Sequence, residues 1–193
     1  MLAVVNKEMN PLKDRVQASI ASVAADKHIT VVMDKSVVVT GAEDITDSVK
    51  DKFREDGELK APDYDIGDSS SVAYFDQDVV SALPMFRDAN KKMQNEWTKA
   101  REAIAEKSKT ATQEEIRVMT ADYEKKLAAL NEQTMVPLLK KVTDTVSDTA
   151  KEKGYILVVD KQYVMYGGKN ITDVVADKLI GKKTSSETSN ESK

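Results

Sequence analysis

The chain has 193 residues, 40% hydrophobic and 32% charged, with a formal net charge of -4, which leaves room for one ordinary domain or two small ones but not for one large apolar core. The absence of Cys excludes disulfides, thiolate nucleophiles and Cys-based metal sites, and the mildly acidic balance removes the main driving force for nucleic-acid binding. Three Phe and one Trp among many Lys, Glu, Asp and Ala favour long helices with narrow apolar seams.

The first residues, Met1-Leu-Ala-Val-Val, turn charged at Lys7 and Glu8 and contain no apolar run of signal or membrane length, so a secreted form is expected to have lost its signal or to carry it upstream. Val16, Ile20 and Val23 with Ala24 recur at helical spacing, predicting a helix that ends near Lys27. Ile29 to Met33 and Val37 to Thr40 are β-branched runs separated by Asp34-Lys35-Ser36, which predicts a β-hairpin. Gly41 lets the chain bend, and Asp44 with Asp47 predicts the start of a short helix. This first module spans 1–54. Residues 55–69 are rich in Asp, Gly, Ser and Pro without apolar period and read as an acidic linker.

A complete domain is expected over 70–181. Ser71 to Phe75 predicts a strand. Phe86, Ala89, Met93, Trp97, Ala100 and Ile104 then follow helical spacing, as do Ile116, Met119, Tyr123, Leu127 and Leu130. If the chain reverses near Lys109, Ile104 faces Ile116, Trp97 faces Tyr123 and Met93 faces Leu127 in one constant register. Those two seams predict an antiparallel helical hairpin over about 84–135, with Thr112 and Glu115 forming a capping box where the returning helix begins. At about 1.5 Å per residue the hairpin would extend on the order of 35 Å. Pro137 is expected to kink or divide the returning helix, and the competing arrangement is two independent helices packed flat on a sheet. Residues 182–193 lack large apolar side chains and are expected to be a disordered tail.

Asn10 to Phe53 aligns without gaps with Val136 to Leu179 and is identical at roughly a third of positions, so the chain holds an internal repeat of one supersecondary unit. Pro11-Leu12 matches Pro137-Leu138, Asp34-Lys35 matches Asp160-Lys161, Gly41 matches Gly167, and Ile45-Thr46-Asp47 matches Ile171-Thr172-Asp173. The second copy thus predicts a helix ending near Lys153, a hairpin from Tyr155–Val159 and Tyr163–Tyr166, and a short helix capped by Asn170. The two copies are expected to occupy equivalent positions, the first borrowing strand pairing because it has no leading strand of its own.

The order strand, long helical hairpin, β-hairpin, short helix resembles the Skp/OmpH family, as do Val72-Ala73-Tyr74-Phe75-Asp76, Lys153-Gly154-Tyr155-Ile156-Leu157-Val158-Val159-Asp160-Lys161, Val164-Met165-Tyr166-Gly167-Gly168 and Asn170-Ile171-Thr172-Asp173. The resemblance implies an α+β fold, a small β-body with an antiparallel coiled-coil prong. It also implies a non-enzymatic, homo-oligomeric, trimeric periplasmic chaperone whose prongs enclose unfolded outer-membrane or envelope proteins without ATP. A permanent envelope assembly protein is the alternative, and an enzyme comes third, since no nucleophile, base and orienting group can be assembled.

No residue stands out as catalytic, cofactor-binding or metal-ligating, no cofactor is implied, and the client-binding residues are not identifiable. His28, the only His, takes the place of Gly154 at a helix-to-strand junction, without a second His or a Cys to complete a metal site. Asp63 to Asp76 lacks EF-hand spacing, and Gly167-Gly168 lacks the Lys of a phosphate loop. Met85, Met93, Met119 and Met135 read as packing residues before a client surface. Lys91, Lys92, Lys99, Lys107, Lys125 and Lys126 alternate with acids and read as a solvated face. Leu83 to Lys153 is only slightly basic and Glu43 to Asp76 is acidic, so contact with anionic lipid is weakly supported.

Overall fold

The computed structural model describes residues 2–62 and 69–182. Met1, the centre of the expected linker with Asp63, Asp65 and Asp68, and the expected tail beyond Lys182 lie outside the described residues. In chain order the elements are α1 (Leu2–Asp26), β1 (Val31–Met33), α2 (Thr46–Arg54), β2 (Val72–Phe75), α3 (Gln77–Ser81), α4 (Pro84–Lys107), α5 (Gln113–Lys153), β3 (Leu157–Asp160), β4 (Val164–Gly167), β5 (Lys169–Asn170) and α6 (Thr172–Leu179). The described residues of Met1–Gln77 and Ala150–Asp173 make one compact unit, and those of Asp78–Thr149 and Val174–Lys193 make the other.

In the first unit the C-terminal half of α1 is the centre. Ala18, Ile20, Ala21, Val23, Ala24 and Ala25 are buried on nearly every side of the helix, because small side chains let α2, β1 and β4 all pack against it. Ser19, fully buried among them, donates its hydroxyl to the Arg15 carbonyl at 2.8 Å, so the polar atom carries no desolvation penalty.

The repeat is visible bond by bond. At the end of α1 the Ile29 N–H donates to the Ala24 carbonyl at 2.8 Å and the His28 N–H to Ala25 at 3.1 Å; at the end of α5 Tyr155 donates to Ala150 at 2.9 Å and Gly154 to Lys151 at 3.3 Å. Both are Schellman ends, with His28 (φ 56°) and Gly154 (φ 74°) in the left-handed conformation such ends require. Further on, the Asp34 carboxylate accepts the Ser36 N–H and the Asp160 carboxylate accepts the Gln162 N–H. Asp44 and Asn170 accept from the N–H of Thr46 and Thr172. Arg15 donates to the Phe53 carbonyl as Lys141 does to that of Leu179.

The β-hairpins expected at 29–40 and 155–166 do not form. In each copy the Asp side chain organises a 3-10 turn, Lys35–Val37 or Lys161–Tyr163, that uses up the start of the second run and aims it away from the first. Val38 to Thr40 consequently makes no strand. β1 instead pairs antiparallel with β4, while β2 lies between β3 and β5 and is parallel to both. Ala73, with no exposure, is the small residue that lets β2 sit there.

The first copy does borrow its pairing. Alternate residues of a strand turn their N–H and C=O to the same edge. The Thr30 carbonyl accepts from the Gly168 N–H at 3.0 Å and the Asp34 N–H donates to Tyr163, whereas Ile156, the equivalent of Thr30, donates to the Ser71 carbonyl at 2.9 Å. β4 therefore occupies on β1 the edge that the leading strand occupies on β3. Gly167 (φ 68°) permits this crossing, since a Cβ there would collide with the Thr30 carbonyl oxygen.

The second unit contains α4 and most of α5. Val80, Phe86, Ala89, Thr149, Val175 and Leu179 are its buried side chains near one end, and Ala100 is buried further along α4. Contrary to the expected division, α5 is continuous through Pro137. Proline removes one helical hydrogen bond. Here both Pro137 and Gln133, whose carbonyl would have accepted it, are exposed, so water can take the freed carbonyl.

Candidate functional site

The helical hairpin turns where its sequence predicts. The Thr112 N–H and hydroxyl both donate to the Glu115 carboxylate at 2.8 Å, and the Glu115 N–H donates back to Thr112 Oγ1 at 3.3 Å. These bonds hold the Glu115 carboxyl below its ordinary pKa. Ile104, Ile116, Met119, Tyr123, Leu127 and Leu130 are all half-buried, as a two-helix seam with one side open to water allows.

Trp97 departs from the expected seam and is 55% exposed. Ala89 and Ala100 on either side of it are buried while the larger indole is not. Beside its level Glu96, Tyr123, Leu127 and Leu130 line a hollow of about 320 Å³. Val118, Val136 and Leu139 are also about half exposed. Val118, Val136 and Leu139 are the apolar groups that helical-period reading misses, because it looks for the seam and they lie off it; the one available signal is a large apolar side chain out of phase. Met85, Met93, Met119 and Met135 are half-buried, which fits packing.

Lys91, Lys92, Lys99, Lys107, Lys125 and Lys126 are exposed. Lys99 pairs with Glu96 at 2.6 Å, Arg117 with Glu114 at 2.9 Å and Lys140 with Asp144 at 2.8 Å. Lys126 stands 5.3 Å from the centre of the Tyr123 ring. The hairpin therefore presents scattered apolar groups on a charge-balanced, hydrated surface.

The second feature is an apolar groove of about 1240 Å³ within the first unit, formed by α1, β1, the 38–44 segment and α2. Ile20, Ile45, Val49 and Phe53 form its wall and Val39, fully exposed, its lip. On its rim the Lys35 ammonium pairs with the Asp44 carboxylate at 2.7 Å. With the Thr46 N–H also on Asp44, this pairing holds that carboxyl far below the usual carboxylate range and raises the Lys35 pKa. In the second copy Asn170 replaces Asp44, and Lys161 pairs instead with Asp76 after the leading strand, at 2.8 Å. His28 serves the helix end. Among the described residues no group of three or more His, Asp or Glu is placed to hold a metal, and no helix is long and apolar enough to cross a membrane.

Residues 86–179 match the family described as outer membrane protein (OmpH-like). The match takes in the hairpin and the second copy and leaves β2 and the first copy outside it. The comparisons with curated proteins and with solved structures give no match.

Proposed function

We propose that this chain is an ATP-independent holdase for unfolded outer-membrane or envelope proteins, since residues 86–179 match the OmpH-like family, a family of non-enzymatic periplasmic chaperones. The observation that carries the reading is the hairpin surface, where Trp97, Val118, Val136 and Leu139 stand exposed among paired charges. Each such group offers a client about 1–3 kcal/mol of apolar burial at most. Several in a row give avidity while leaving each contact readily broken. No nucleotide is needed to release a client held this way. The reading includes a homo-oligomer, a periplasmic location, and a division into a partial module at 1–54 and a complete one at 70–181. The bond-by-bond repeat supports the modules.

The test removes one heptad from each arm in register, residues 98–104 with 116–122, and follows light scattering of a urea-unfolded β-barrel on dilution without ATP. The full-length chain is expected to suppress scattering, and the shortened one to remain folded and oligomeric but protect less. Equal protection by both would refute holding by the hairpin and favour the permanent assembly role.

A further inference from the structure

We infer that the hollow on the hairpin is a subsite for an aromatic side chain of the client, so that the hairpin grips rings in preference to aliphatic groups of the same shape; the inference rests on the holding role proposed for the hairpin. Tyr123, Leu127 and Leu130 of α5, all half-buried, make its floor, and Glu96 of α4 and Lys126 of α5 stand on its rim. Its volume of about 320 Å³ lies at the lower bound of the range of about 300–1,000 Å³ usual for small-molecule pockets and is too small for a helix about 10–12 Å across. A single ring-bearing side chain is what it admits. The seam register pairs Trp97 with Tyr123, yet the indole is 55% exposed and does not line the hollow. The place where α4 would have laid a ring against Tyr123 is therefore open.

The charges on the rim select a ring. Glu96 is neutralised by Lys99 at 2.6 Å. Lys126 has no carboxylate partner among the described residues, and its ammonium stands 5.3 Å from the centre of the Tyr123 ring. An ammonium beside one π-system attracts the negative face of a second, whereas an aliphatic side chain offers it no such charge. A client carboxylate would also be drawn to Lys126, but it would have to give up water against an apolar floor. Floor and ammonium are satisfied together by a group that is apolar yet electron-rich on its face, which is the chemistry of Phe and Tyr.

The test titrates the full chain into fluorescein-labelled peptides of Ser, Asn and Gly with several apolar positions, filled in one peptide with Phe and in the other with cyclohexylalanine, which has the same ring shape without π-electrons. The ratio of the two affinities, read by anisotropy, is expected to shift against Phe by about two- to fivefold in Lys126→Gln, through weaker binding of the Phe peptide alone. Lys125→Gln, which removes the same charge outside the hollow, is expected to leave the ratio unchanged. Ala129→Gln, at an exposed position lining the hollow, lays a side chain over it and is expected to weaken both peptides. Circular dichroism checks that the variants stay folded. Four results would each overturn the proposal: no binding of the Phe peptide, a ratio untouched by Lys126→Gln, a ratio shifted as much by Lys125→Gln, or binding of both peptides untouched by Ala129→Gln. Scattering of the unfolded β-barrel with the unmodified chain reads the holding role separately. Protection with a ratio untouched by Lys126→Gln would keep that role and remove the subsite, and a shifted ratio without protection would keep a ring-binding hollow and remove the role.

Discussion

At the end of α1 the chain turns through His28, at the end of α5 through Gly154, and each turn is followed by an Asp-capped 3-10 turn and a capped short helix. Yet Ile45, Val49 and Phe53 line an open groove, whereas Ile171, Val175 and Leu179 are at most 2% exposed. Local devices depend on a few neighbouring residues and survive duplication. Closure depends on what packs over the copy, and that differs between the two. The same sequence pattern can therefore serve as core in one place and as the wall of an open groove in another.

The comparison is most sharply broken at the paired glycines. Gly167→Ala would drive a Cβ into the Thr30 carbonyl, cut β1 from β4 and is expected to cost about 3 kcal/mol. Gly41→Ala meets open space and is expected to lose only the left-handed backbone penalty of about 1 kcal/mol. Urea unfolding of the two variants measures the difference; similar losses would mean that β4 does not hold the first copy.

The helix ends give a smaller and opposite pair of effects. A left-handed His carries a steric penalty that Gly escapes, so His28→Gly is expected to stabilise by about 0.5 kcal/mol and Gly154→His to destabilise by about 1 kcal/mol. Thermal melts of the two variants would check the signs.

The smallest effect is acid sensitivity confined to the first copy. The Asp44 pKa is depressed by Lys35 and Thr46, so its contribution is fully present above the unfolded carboxylate pKa of about 4 and is lost as pH falls through the folded value. Asn170 has no such titration. Asp44→Asn is therefore expected to lower stability slightly at neutral pH and to flatten its further loss below about pH 4, which is readable from denaturation midpoints between neutral and acid pH.

Much of this was legible in the sequence. The helix ends, the repeat and the Thr112–Glu115 box follow from local chemistry, and local chemistry is what periodicity and capping patterns record. Strand pairing was not legible, since Asp34-Lys35-Ser36 between β-branched runs has the composition of a hairpin turn, and the partners chosen by β1 and β2 lie far along the chain. Trp97 has seam spacing but not seam burial. The groove is legible only in hindsight: its residues have the pattern of a core, yet among the described residues nothing covers them.

The claim that the hairpin, not the first-copy groove, holds unfolded chain is tested most directly by photo-crosslinking. A photoreactive side chain would be placed in turn at Trp97, Val118, Leu139 and Val39, all exposed, and each variant illuminated with an unfolded β-barrel without ATP. Crosslinks to the client at the three hairpin positions and little or none at position 39 are the expected result. Client captured at position 39 while the hairpin positions stay silent would contradict the account.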